Sequence, residues 1–232
     1  MENSVNRTLF VEFYGLPGCG KSTISYIVAS RLRSEGFLVD EPSYEVDHGR
    51  STLFRKLKKL SVFFFWLVFH YDIFKKVIAI VKRNGYSGKS KIEQTSNVLQ
   101  KIGVYQDTRR RRIVIWDQGL VQASISLSLC GDIKAEDNLM NLLHILNPNV
   151  KTLNVLITVG EEVALERMSQ RVTNNSRVEK LKDTNQKHQM LKRFQDGVNS
   201  IRKQNTSHII KGEDLIENQV AQITKEIIRN YV

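Results

Sequence analysis

Residues that break or staple a chain are scarce here. The 232 residues include only three prolines and two cysteines. Cys19 and Cys130 lie far apart and match no metal-ligand spacing, which excludes a disulfide-built scaffold and points to a reducing compartment. No Pro/Gly/Ser-rich linker or low-complexity tract divides the sequence, so a single domain over 1–232 is expected. The absence of a repeat of about 20–50 residues excludes a solenoid. No apolar run reaches the ~20 residues of a membrane-spanning helix. The most apolar stretch, LSVFFFWLVFHYDIF from Leu60 to Phe74, is interrupted by His70 and Asp72 and followed by Lys75 and Lys76. The opening MENSVNRT lacks the basic-then-apolar order of a secretory signal, and a cytoplasmic location is the expectation.

Positive charge, by contrast, is in excess, at a formal +11. It suits phosphorylated small molecules or polyanions, and it serves solubility equally well. Nucleic acid is the weaker partner, because no aromatic-plus-basic recognition signature accompanies the charge.

Short β-rich runs alternate with longer helical stretches. The runs are Leu9–Tyr14, Phe37–Val39, Ile113–Trp116, Asn154–Val159 and His208–Ile210. Runs such as IVIW and NVLITV are nearly all apolar, as strands covered on both faces must be. This order predicts an α/β domain with a parallel sheet and right-handed crossovers. Glu12 interrupts the first strand without a reason visible in the sequence. After Ser22, Ile24, Ile27, Val28 and Leu32 share one helical face, and Gly36 suits the C-cap. GEEVALERMSQRV opens with two acids, which favour a helix N-terminus, and ENQVAQITKEIIRNYV reads as a closing amphipathic helix.

Between the first strand and the first helix stands Gly15-Leu16-Pro17-Gly18-Cys19-Gly20-Lys21-Ser22, the Walker A pattern G-x-x-x-x-G-K-[ST]. Its glycines let backbone N–H groups converge on phosphate oxygens, and the following helix points its positive end at the same place. Gly15, Pro17, Gly18, Cys19, Gly20, Lys21, Ser22 and Thr23 are therefore the expected contacts to a nucleoside triphosphate. Lys21 reaches the β- and γ-phosphates, and the Ser22 hydroxyl is a ligand for Mg²⁺.

RRRRIVIWDQG is an apolar strand ending in Asp117, the form of a Walker B strand, which brings a carboxylate beside Mg²⁺ or the attacking group. Asp117 lies at the carboxyl end, where ligands bind in open α/β sheets, and Arg109 to Arg112 lie at the other end as a solvated basic patch. FLVDEPSYEVD places Asp40-Glu41-Pro42 after the second strand, a further carboxylate at the active edge or an incidental turn acid. Arg167 and Arg171 share a helix face, and the polar VTNNS leads on to Arg177. Such a basic flap can close over phosphates, or simply be a solvated helix end.

In this order the pieces resemble the P-loop nucleoside and nucleotide kinases, especially thymidylate kinase-like and deoxynucleoside kinase-like proteins. GLPGCGKST, the Glu-Pro after the second strand, WDQG, and ALERMSQR followed by Arg177 carry the resemblance, from Leu9 to the last helix. It implies a three-layer P-loop kinase fold with a five-stranded parallel sheet and a small helical lid, about 167–180, bearing Arg171 and Arg177. It implies ATP with Mg²⁺, with Ser22 and Asp117 at the metal. Lys21, Glu41, Asp117, Arg171 and Arg177 are then the catalytic candidates, with Glu41 and Asp117 facing a small-molecule acceptor. The helical region at about 48–108 would roof that acceptor.

Two departures bear on the acceptor. Where thymidylate kinases typically carry arginines, before Glu-Pro and after the third-strand Asp, this sequence has Asp40 and Gln118. A phosphate acceptor needs cations, and an added Asp would repel it. A hydroxyl acceptor needs a base, and the carboxylates are kept. The expectation is therefore a Mg-ATP-dependent phosphotransferase acting on a hydroxyl such as a nucleoside's, with Arg50 or Arg55 as the cations able to reverse that preference. The alternatives are a nucleoside monophosphate kinase and a P-loop ATPase without a small-molecule acceptor. A GTPase switch is disfavoured, because N-K-x-D is absent and DQG lacks the D-x-x-G spacing. For the aromatic segment Leu60 to Phe74 the order of expectation is a core or acceptor-pocket helix, then a homodimer face, then membrane-surface contact.

Overall fold

The structure, a computed structural model, describes residues 8–42, 61, 63–106, 112–129, 139–170, 178, 181 and 183–232. Strand β1 (Leu9–Gly15) is buried along its whole length, Glu12 included. It can be so because strands flank it on both sides and helices cover both faces. Helix α1 (Lys21–Ser34) leads to β2 (Val39–Asp40). Then come α2 (63–69), α3 (Tyr71–Arg83), α4 (Gly88–Gln106) and β3 (Ile113–Trp116). Helices α5 (Leu120–Ser128) and α6 (Leu139–Leu146) precede β4 (Lys151–Thr158). The chain continues through α7 (Glu161–Ser169), α8 (Thr184–Gln204), β5 (Ser207–Lys211) and α9 (Ile216–Tyr231).

The strands form one parallel sheet in the order β2-β3-β1-β4-β5. This is the five-stranded parallel sheet expected from the sequence. Helix α1 packs on α9, and α5 packs on α8, with both pairs touching β1, so the sheet lies between two helical layers. From β1 the chain moves toward one sheet edge, and from β3 it crosses to the other. The crevice this opens at the carboxyl ends of β1 and β3 is where ligands collect in such sheets. The P-loop follows β1 and Asp117 follows β3, so both stand at that crevice.

The strand bounds differ in physically readable ways. Phe37 does not join β2: its N–H donates to Leu32 O in the cap of α1, and its ring packs edge-on against Tyr231 at 5.7 Å. Strand β4 begins earlier than its apolar run, because Lys151 to Leu153 pair with Leu9 to Val11. Gly36 takes φ 89 after the C-cap Glu35, the left-handed geometry expected of it.

Two charged residues depart from their expected places. Arg112 is not part of a solvated patch: its side chain is 12% exposed, and Nη1 lies 2.6 Å from Asp40 Oδ2. Asp40 pairs with Val114 in the ladder, below the carboxyl edge, and its charge is turned toward the start of β3. Its supposed repulsion of an acceptor phosphate therefore has no structural basis. Arg109 to Arg111, Arg50, Arg55, Cys130, Arg171, Arg177 and most of the expected lid lie outside the described residues.

Candidate active site

The turn between β1 and α1 is shaped by glycines that no other residue replaces cheaply. Gly18 and Gly20 have φ 85 and 96, values that L side chains adopt only under strain. A Cβ on Gly18 would also run into Ala164 O and Met168 of α7, so the loop is seated directly on that helix. Gly15 N–H donates to Gln122 Oε1 at 3.1 Å, fixing the loop's first amide from α5.

Helix α1 starts without a side-chain cap and without an acid in its first turn. Its first N–H groups are left to whatever binds there, and the helix dipole makes an anion the favoured guest. Helix α8 shows the contrast: its Asp183 side chain accepts from Asn185 N–H. The Lys21 ammonium lies folded onto the loop, donating to Leu16 O at 2.8 Å and Gly15 O at 3.0 Å. Ser22 and Thr23 are exposed at the mouth. The sequence-expected nucleotide contacts, Gly15 and Pro17 to Thr23, are thus one continuous cradle.

Asp117 stands opposite the cradle. Ser22 Oγ donates to Asp117 Oδ2 at 2.8 Å. Asp117 Oδ1 is buried and has no hydrogen-bond partner among the described residues. A hydroxyl and a carboxylate oxygen held together, with a further oxygen unpaired, fit a hard divalent cation. No cluster of three or more His, Cys, Asp or Glu that could hold a metal occurs among the described residues. Two protein oxygens completed by waters and phosphate suit Mg²⁺, which keeps much of its water.

Two cations of the described residues stand around this edge, one expected from the sequence and one not. Arg167, which the sequence pairs with Arg171 on one helix face, lies in the last turn of α7, donates to Gly212 O at 2.9 Å, and its Nη1 sits 3.9 Å from where a Cβ on Gly20 would be. A cation thus stands beside the cradle within the described residues, apart from Arg171 and Arg177. Lys101 of α4 donates to the Gln118 carbonyl and lies over the Trp116 ring at 5.0 Å. Burial pushes its ammonium pKa down, while Glu12 and Asp117 pull it back up. No sequence motif marks Lys101, because a helix of ordinary composition brings it there.

Glu12 now has an account. Its carboxylate accepts from Leu120 N–H at 2.9 Å, Val121 N–H at 2.8 Å and the Tyr105 hydroxyl. A strand residue thereby caps α5, which has no side-chain cap of its own. Burial pushes the Glu12 pKa up to about 7, against the lowering by the two amides and Lys101. Gly119 is what admits it, since a Cβ there would overlap the Glu12 carboxyl. The glycine after Asp117-Gln118 was the available sequence signal.

Glu41 is buried after β2, and its Oε2 lies 2.6 Å from Arg33 Nη1 near the end of α1. Its carboxylate is held by a guanidinium that also donates to Val39 O. On the other flank of the P-loop a cavity of about 260 Å³ opens between Gly15, Leu16, Gly160, Gln195 and Lys211.

No protein-family model and no curated protein matches this sequence. Solved structures do match in shape. A deoxyadenosine kinase from M. mycoides, with dCMP and a flexible dCDP bound, aligns with TM-score 0.54 at 15% identity, over 95% of this chain and 99% of that one. The same kinase with dATP gives 0.52 at 16% identity over 94% and 99%. A thymidylate kinase from Ehrlichia chaffeensis gives 0.52 at 16% identity over 96% and 99%. The chain has the P-loop kinase fold. At such identities the likeness speaks of fold alone, and function rests on the site.

Proposed function

We propose that the protein is a Mg²⁺-ATP-dependent phosphotransferase acting on a small acceptor of the nucleoside or nucleotide class. The observation that carries this is the Ser22–Asp117 pair facing an uncapped helix N-terminus, with Asp117 Oδ1 unpaired beside it. Mg²⁺, held by Ser22 Oγ and Asp117, would neutralise charge that develops during transfer. The chain's own residues do the rest. The loop amides and the α1 N-terminus hold the phosphates. Lys21 swings from the Gly15 and Leu16 carbonyls onto phosphate oxygens. Arg167, and in this reading Arg171 and Arg177 of the lid, add positive charge as the site closes.

For the acceptor, Glu41 is the proposed general base toward a hydroxyl, and it acts once Arg33 releases its carboxylate. One observation favours a second reading, a nucleoside monophosphate. Lys101 on the Gln118 carbonyl supplies a cation at the edge where an arginine is missing from the sequence. A panel of nucleosides, nucleoside monophosphates, sugars and other small alcohols, scored by ADP release with and without each acceptor, separates the two. ADP release that no acceptor stimulates would leave a simple ATPase.

A further inference from the structure

Helix α2 divides its aromatic residues between two environments. Trp66 is 2% exposed, and Phe63 and Leu67 pack against the core beside it. On the opposite side Phe64, Phe65, Val68 and Phe69 are 53%, 49%, 66% and 70% exposed. Spacings of one, four and five residues put these four on one contiguous arc of the helix. Phe65 and Phe69 touch ring to ring at 5.2 Å. These four side chains, half or more exposed, amount to roughly 400 Å² of apolar surface, the size of the largest patch a monomer shows and one that is often functional. The segment is thus half core helix, as expected, and half uncovered face.

The charge along this stretch of the chain is equally uneven. Between positions 61 and 91 the sequence has six basic residues and one acid, Asp72, a net +5. Lys75 and Lys76 are exposed at the start of α3, and Lys75 Nζ lies over the Tyr71 ring at 5.4 Å. Lys89 is exposed at the start of α4. Exposed aromatic side chains on one helix face, followed closely in the chain by exposed lysines, are the composition of an interfacial membrane contact.

We propose that this face docks on an anionic lipid membrane surface, with Phe64, Phe65, Val68 and Phe69 entering the headgroup boundary and the lysines that follow them in the chain meeting lipid phosphates and carboxylates. Charge decides against a second copy as occupant. A two-fold contact sets the same patch against itself and so brings the two positive segments together. An anionic bilayer answers both the apolar face and the charge. No helix among the described residues is long and apolar enough to cross a membrane, so the contact lies on the surface.

The test is sedimentation of the full chain with vesicles of phosphatidylcholine alone, or with roughly 30 mol% phosphatidylserine, at about 0.15 M salt. The parent protein should partition onto the anionic vesicles at least about tenfold better than onto the neutral ones. Phe65→Ser/Phe69→Ser should lower that partitioning by about tenfold or more while the melting temperature holds, since both side chains are exposed. Lys75→Glu/Lys76→Glu should weaken binding and shrink the anionic preference. Absence of binding to the anionic vesicles overturns the proposal. So does binding that the aromatic variant leaves unchanged, or a dimer in sedimentation velocity that this variant disperses while vesicle binding is absent.

Discussion

Ser22 Oγ and Asp117 Oδ2 are 2.8 Å apart, although 95 residues separate them in the chain. One stands in the first turn of α1, which follows β1, and the other directly follows β3, so the sheet itself sets their distance. Asp117→Asn keeps the shape but puts an amide where, in the proposed reading, a carboxylate would face Mg²⁺. Phosphotransfer should fall by a factor on the order of 10²–10³, and the Mg²⁺ concentration for half-maximal rate should rise. Steady-state rates over a Mg²⁺ titration check this; an unchanged Mg²⁺ dependence removes Asp117 from the metal site.

Lys21→Ala should abolish ATP-dependent turnover and leave the fold in place. The side chain loses two hydrogen bonds to loop carbonyls, a stability change of about 1–2 kcal/mol. Nucleotide titration and a thermal melt measure the two effects separately. Equal transfer rates in the variant and the parent would refute the phosphate role.

Glu41→Gln should cut turnover by about 10²–10⁴ with a hydroxyl acceptor, with little change in ATP affinity. Arg33→Ala releases the carboxylate from its partner and tests whether the ion pair restrains it. Nucleoside monophosphates turned over normally by Glu41→Gln would favour the Lys101 reading instead.

Glu12 predicts an unusual pH dependence of stability. Its pKa is raised from 4.5 to about 7, so between those values the folded chain binds more protons than the unfolded one. The stability Glu12 contributes is therefore fully present below about pH 4.5 and is lost as pH rises through about 7, roughly 3 kcal/mol in all. Denaturant unfolding at pH 5 and pH 8 should show the parent losing more than Glu12→Gln. Equal losses in the two proteins would place the titration elsewhere.

Gly119→Ala should destabilise by several kcal/mol or prevent folding, because the new methyl group overlaps the Glu12 carboxyl. The cost should shrink in a Glu12→Ala background, which a double-mutant cycle on melting curves reads directly.

Much of this was legible in the chain, for physical reasons that also mark where legibility ends. Strand β3 was read to its exact bounds, since Ile113 to Trp116 are apolar and are flanked by charge on both sides. The Walker A cradle was legible because its chemistry is local: consecutive backbone amides need consecutive glycines. Arg112 was misread because its partner Asp40 is supplied by strand pairing. Lys101, Gln122 and Arg33 were invisible for the same reason. Each reaches the site from a helix whose sequence is ordinary, and only the packing of that helix gives the side chain a role.

The cap that Glu12 places on α5 has a consequence for the order of assembly. Its two amide donors are 108 and 109 residues away in sequence. A carboxyl sealed in the centre of the sheet without those donors is costly, so partly built forms containing β1 but lacking a docked α5 gain little from collapse. During synthesis, β1 must wait for residue 121 to be made before its middle can close. Docking of α5 and closure of the central strand should then occur in one cooperative step, and native-state hydrogen exchange should give Glu12, Leu120 and Val121 a common opening free energy.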